Sequence, residues 1–133
     1  MMMKTDNSLN EEKVLRRTIE VLNEFCITAN LKGKSYLRSA ICQIAKDETA
    51  IENIMKILYA DIAKSFNTTV SRVERCIRFA VCTGWDRCNP EVKKKYFGSF
   101  VDLHIIPTNS EFIANIAEYI RYEITGLITA WNK

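Results

Sequence analysis

Residues 67–80 read NTTVSRVERCIRFA and place Arg72, Arg75 and Arg78 at three-residue intervals, with Glu74 among them. On an α-helix, side chains three apart are offset by roughly 60° and rise about 4.5 Å, so the three guanidinium groups form a slanting stripe roughly 9 Å long. Val73, Ile77, Ala80 and Val81, followed by Gly84 and Trp85, recur at intervals of three and four and point the other way. The run therefore predicts one helix, 70–85, with an apolar face to bury and a basic face turned outward. Charge spacing alone would describe a solvated face. The residues just before the run argue for something more specific.

Asn67 tolerates the left-handed backbone that a tight turn needs, and Thr69 can cap the helix that follows. Ahead of them Ile62, Ala63 and Phe66 repeat with helical spacing. A short helix 59–66, a turn 67–69 and a longer helix 70–85 have the lengths and order of a helix-turn-helix. Ala63 suits the tight crossing, and Val73 and Ile77 are expected to pack against Ile62 and Phe66. In that geometry the second helix enters the major groove with its N-terminal residues on base edges, where Ser71, Arg72, Glu74 and Arg75 fall. Arginine suits guanine O6 and N7, and glutamate can accept from cytosine N4. An acid on such a helix is otherwise a liability beside phosphates, so Glu74 favours reading of sequence over mere phosphate binding.

Further outward, Ser8 and Glu11 have capping-box spacing, and Leu15, Ile19, Leu22 and Phe25 follow at helical intervals, predicting an amphipathic helix over 9–28. Gly33 is expected to interrupt, with a soft boundary near 30–33 that separates an N-terminal segment, 1–30, from a domain over 31–133. A helix over 34–47 would bury Tyr36, Leu37, Ala40, Ile41 and Ile44, and Ile51, Ile54, Met55 and Leu58 continue the pattern. Asn89 and Pro90 start a short helix through Tyr96 that Gly98 ends, and 99–107 read as a loop. Thr108 and Glu111 form a capping box for a last helix burying Phe112, Ile113, Ile116, Tyr119 and Ile120, which Gly126 can stop. The fold class expected is all-α, with about six helices.

The chain of 133 residues is about one domain long, and its net charge of +3 is too small to attract a polyanion as a whole. Attraction must come from the local stripe. The N-terminus MMMKTDNSLNEEK has no apolar core of a signal peptide and no run is long enough to span a membrane, so a cytoplasmic location without membrane association is expected. Cys26, Cys42, Cys76, Cys82 and Cys88 are odd in number and scattered, which predicts reduced thiols. Their spacing, with His104 the lone histidine, offers no metal site. No nucleophile-base pair, glycine-rich phosphate loop or carboxylate pair is found, so neither catalytic residues nor cofactors are expected, and His104 is expected to be packed or solvated.

The runs LKGKSYLRSAI (31–41), LYADIAKSFNTTVSRVERCIRFAV (58–81), WDRCN (85–89) and PTNSEFIANIAEYIR (107–121) resemble the DNA-binding effector domain of the stage zero sporulation protein A family of response regulators. The resemblance implies a helix-turn-helix elaborated to six helices that binds short promoter boxes on double-stranded DNA as tandem copies and touches RNA polymerase sigma factors. It places Glu74, Arg75 and Arg78 at base-reading and phosphate-holding positions, and Lys64, Asn67, Ser71 and Arg72 close to the DNA backbone. Within KYFGSFV (95–101), Phe97 and Val101 fall where the family contacts the polymerase, and the last helix falls where neighbouring copies, or a homodimer, would meet. Ala60 stands where the family usually has proline, which would lengthen the first helix, and Phe79 stands where it often has histidine. Only about 30 residues precede the match, so a receiver is not expected and a stand-alone paralogue is. Two readings follow: a sequence-specific regulator, or a receiver-less relative that modulates a full-length regulator by mixed assembly with weak DNA binding.

Overall fold

A computed structural model describes residues 10–28, 31–46 and 54–126, and the described residues form six helices with no strand. These are α1 (Glu11–Glu24), α2 (Lys32–Lys46), α3 (Ile54–Ser65), α4 (Val70–Arg87), α5 (Pro90–Phe97) and α6 (Asn109–Ile124). The all-α expectation holds. Helix α2 lies at the centre, packed against α1, α4 and α6, while α3 packs on α4.

Helix α1 starts at Asn10, whose side chain accepts from the N–H groups of Glu12 (2.8 Å) and Lys13 (3.1 Å). Ser8 of the expected capping box lies outside the described residues. The buried face is Val14, Thr18, Val21 and Leu22, continuing to Phe25. Leu15, expected inside, is exposed and Ile19 is half-buried. The face differs because Thr18 can be buried: its hydroxyl donates to the Val14 carbonyl at 2.7 Å, which leaves no unpaired polar group. Phe25 then stands in an aromatic cluster with Trp85, Tyr96, Phe97 and Phe112, at ring separations of 5.1–6.1 Å.

Gly33 does not interrupt; it sits in the first turn of α2, facing α4. A Cβ there would come within 2.3 Å of the Cys76 carbonyl oxygen and 2.8 Å of the Ala80 Cβ. Glycine is present so that two backbones can approach, and the missing side chain is what lets α2 cross α4 closely. Tyr36, Leu37, Ala40, Ile41 and Ile44 are buried as expected. The five cysteines are free thiols, and no group of potential metal ligands assembles among the described residues. Among the described residues no helix is long and apolar enough to cross a membrane.

Polar ties join α1 to the C-terminal half. Arg17 donates from Nε to Glu123 at 2.8 Å and from Nη1 to Glu20 at 2.9 Å, and its Nη2 reaches the Tyr96 hydroxyl at 3.2 Å. That hydroxyl donates to the Glu24 carboxylate at 2.9 Å. Burial pushes the Tyr96 phenol well above its usual range, with the Arg17 contact acting against the shift and the Glu24 contact adding to it.

Candidate nucleic-acid interface

Helices α3 and α4 and the turn between them form the expected helix-turn-helix. Helix α3 is one continuous element from Ile54, longer than the short helix expected over 59–66, and it runs through Ala60 without a break. Its end is set by Asn67, which adopts the left-handed conformation at φ 54°, while the Thr68 N–H donates back to the Ala63 carbonyl at 2.8 Å. Thr69 caps α4 by accepting from the Arg72 N–H at 3.2 Å. Ile62, Val73 and Ile77 are fully buried between the helices. Phe66 is less buried than expected: it stacks edgewise on Tyr36 of α2 at 5.1 Å and remains 42% exposed.

Lys64, Asn67, Ser71, Arg72, Glu74 and Arg75 are all exposed on this unit. The guanidinium groups of Arg72 and Arg75 pair with no carboxylate among the described residues. Like charges three residues apart on a helix repel by a few tenths of a kcal/mol, and no ion pair among the described residues offsets that repulsion at Arg72 and Arg75. A polyanion would.

Arg78 departs from the exposed stripe. It is half-buried, and its Nη1 donates to the Pro107 carbonyl at 2.7 Å. Three-residue spacing turns the stripe by about 60° per step, so by the third arginine it has turned about 120° towards the segment leading into α6. One of the five guanidinium donors is spent there and the others remain. Phe79, seven residues after Arg72, returns to nearly the same direction as Arg72 and is 61% exposed.

One contact to α4 comes from outside the motif. Asn109, the first residue of α6, donates from Nδ2 to the Glu74 carbonyl at 3.2 Å, across 35 positions. It borders a cleft of about 760 Å³ between α3, α4 and the start of α6, whose wall includes Tyr59, Glu74 and Arg78. Burial pushes the Tyr59 phenol up, with the Asn109 amide acting against the shift. An asparagine just inside a capped helix is the only hint that sequence could have offered.

Phe97 and Val101 lie apart from this unit. The Phe97 ring is half-buried, edge-on to Trp85 at 5.1 Å, and Val101 is half-buried in the following loop. The loop is held by the Trp85 indole N–H, which donates to the Leu103 carbonyl at 3.2 Å. Its outward apolar groups are Phe100, fully exposed, and Ile105. His104 is solvated.

The family described as "Sporulation initiation factor Spo0A C terminal" matches residues 18–120. The match spans well over half of the 133 residues and contains the whole helix-turn-helix, so the chain belongs to this family. It is a family of DNA-binding domains of sporulation initiation and transcription regulation, and not a family of enzymes.

Proposed function

We propose that this protein regulates transcription by reading short promoter boxes with the N-terminal half of α4. The observation that carries the reading is the pair of guanidinium groups, Arg72 and Arg75, with no carboxylate partner among the described residues, beside an exposed Glu74 on the second helix of a helix-turn-helix. Arg75 forks onto a guanine and Glu74 accepts from a cytosine amine. Lys64, Asn67, Ser71 and Arg72 hold the phosphate backbone, and Arg78 adds a backbone contact with the donors that Pro107 leaves free. Copies bind in tandem and meet through α6, the segment around Phe97 and Val101 meets a polymerase sigma factor, and the protein works in the cytoplasm.

A second reading is favoured by Phe79: an exposed aromatic in line with Arg72 makes no charged phosphate contact and suits a protein surface. There the chain modulates a full-length regulator by mixed assembly and binds DNA weakly. Fluorescence anisotropy against a duplex with tandem TGTCGAA-like boxes, beside a scrambled duplex at the same salt, separates the two. Salt must be fixed because phosphate contacts alone give salt-dependent affinity. Tighter binding to the boxes supports the first reading, and equal, weak binding to both supports the second.

A further inference from the structure

We propose that Asn109 is a positioning residue for sequence reading, setting from outside the helix-turn-helix the rotation at which α4 presents Glu74 and Arg75 to base edges. The inference rests on the promoter-reading function proposed above and adds to it a residue that neither helix of the motif contains.

The anchor is rigid. Thr108 and Glu111 close a reciprocal capping box around the first turn of α6, so the backbone that carries Asn109 is fixed at both ends of that turn. From there the Asn109 Nδ2 donates to the Glu74 carbonyl, 3.2 Å away. That bond also decides which way the amide faces, and it leaves Oδ1 buried with no hydrogen-bond partner among the described residues. A buried unpaired acceptor is unfavourable. An amide kept for packing alone is therefore a poor choice at this place, and what Asn109 supplies is its donor group, turned to the Glu74 carbonyl of α4 and acting also on the Tyr59 phenol of α3.

A second tie sits one turn further along the same helix. Arg78, four residues after Glu74, donates to the Pro107 carbonyl at 2.7 Å, two residues before Asn109. The two ties are separated by about 6 Å along α4. Packing of Val73, Ile77, Ala80 and Val81 seats the helix in the core, and the two ties, spaced by a turn and received by neighbouring residues, set the remaining play in its roll and rise. With side-chain tips about 5–6 Å from the helix axis, a 10° roll moves the Glu74 carboxylate or the Arg75 fork by about 1 Å. Base-edge hydrogen bonds tolerate little more than half of that. Phosphate contacts from Lys64 and Asn67 come from α3 and the turn and stay in place when α4 rolls, and those from Ser71, Arg72 and Arg78 on α4 need only a charge or donor near an oxygen, so a roll costs them less than it costs a base-edge pair.

The test is an anisotropy titration of the whole chain against the tandem-box and scrambled duplexes at one salt concentration. Asn109→Ala should lower the ratio of the two affinities by about fivefold, the size of one lost hydrogen bond, with scrambled-duplex binding falling much less than tandem-box binding. In a Glu74→Ala, Arg75→Ala background there is nothing left to position, and Asn109→Ala should cause no further loss. Equal weakening on both duplexes, the same loss in that background, or an unchanged ratio would each overturn the proposal. If Asn109→Ala does not fold, Asn109→Asp takes its place: it keeps the shape and lacks the donor, and full retention of preference by that variant overturns the proposal. A wild-type chain with no preference removes the promoter reading too, whereas wild-type preference untouched by Asn109→Ala removes this inference alone.

Discussion

Replacing Arg75 by alanine should separate stability from recognition. The side chain is exposed and pairs with no carboxylate among the described residues, so its removal takes nothing from the core. It also relieves like-charge repulsion from Arg72 and Arg78, three residues to either side, by roughly 0.2–0.5 kcal/mol for each pair. Folding stability should therefore stay within about 0.5 kcal/mol of wild type or rise slightly in a urea titration. On the tandem-box duplex, loss of a bidentate guanine contact should cost about 1–3 kcal/mol, a fall of about 5- to 150-fold in affinity, with preference flattened at one base pair. The scrambled duplex should lose much less. Lys64→Ala is the control: a phosphate contact should weaken both duplexes alike and reduce the salt slope by about one unit. If Arg75→Ala weakens both duplexes by the same factor, the stripe holds phosphates without reading bases. If it unfolds the protein, the placement of its side chain is wrong.

Gly33→Ala should destabilise the fold by about 1–3 kcal/mol in urea, because the added methyl meets the Cys76 backbone oxygen and α2 must move off α4. On helix propensity alone the same change would stabilise by about 1 kcal/mol, so the sign decides between close crossing and helix interruption. Tyr96 and Tyr59 both have phenols raised by burial. For an acid whose folded pKa is raised, stability is complete below the unfolded value and is lost as pH climbs above it, so thermal stability should fall above about pH 10. Tyr96→Phe should flatten that alkaline decline while lowering stability at neutral pH, since the Glu24 carboxylate and Arg17 lose their shared partner. Phe79→His should add an ionisable group in line with Arg72, making DNA affinity rise as pH falls through about 6.5, with a steeper salt dependence at pH 6 than at pH 8.

What could be read along the chain were features set by neighbours in sequence. The opposed faces of α4, the Thr69 cap, the left-handed Asn67, the Asn89–Pro90 start and the Thr108–Glu111 box each depend on residues within one turn, and each is found where expected. Readings failed where a distant partner decides. The inward face of α1 is turned: Leu15 stays outside, and Thr18, its hydroxyl satisfied on its own helix, is buried where α2 brings Cys42 against it. Gly33 resembles a break until the helix that presses on it is known. Arg78 shares its spacing with Arg72 and Arg75, yet a carbonyl from 29 residues away draws it aside. Asn109 carries no local signal for its bond to α4, and Phe97 lies in an aromatic cluster that only the fold assembles.

The most direct measurement of whether α4 reads sequence is the effect of Glu74→Ala on the two duplexes at one salt concentration, because its predicted effects have opposite signs. Removing an acid from a surface facing phosphates should strengthen binding to the scrambled duplex, by relief of repulsion. The same change should lower discrimination at the base pair whose cytosine amine Glu74 accepts, by about 1–3 kcal/mol. Stronger nonspecific binding together with weaker discrimination is the result predicted. Discrimination unchanged, with or without a gain on scrambled DNA, would contradict base reading by Glu74, and preference equally untouched by Arg75→Ala and Lys64→Ala would leave mixed assembly as the function of the exposed face.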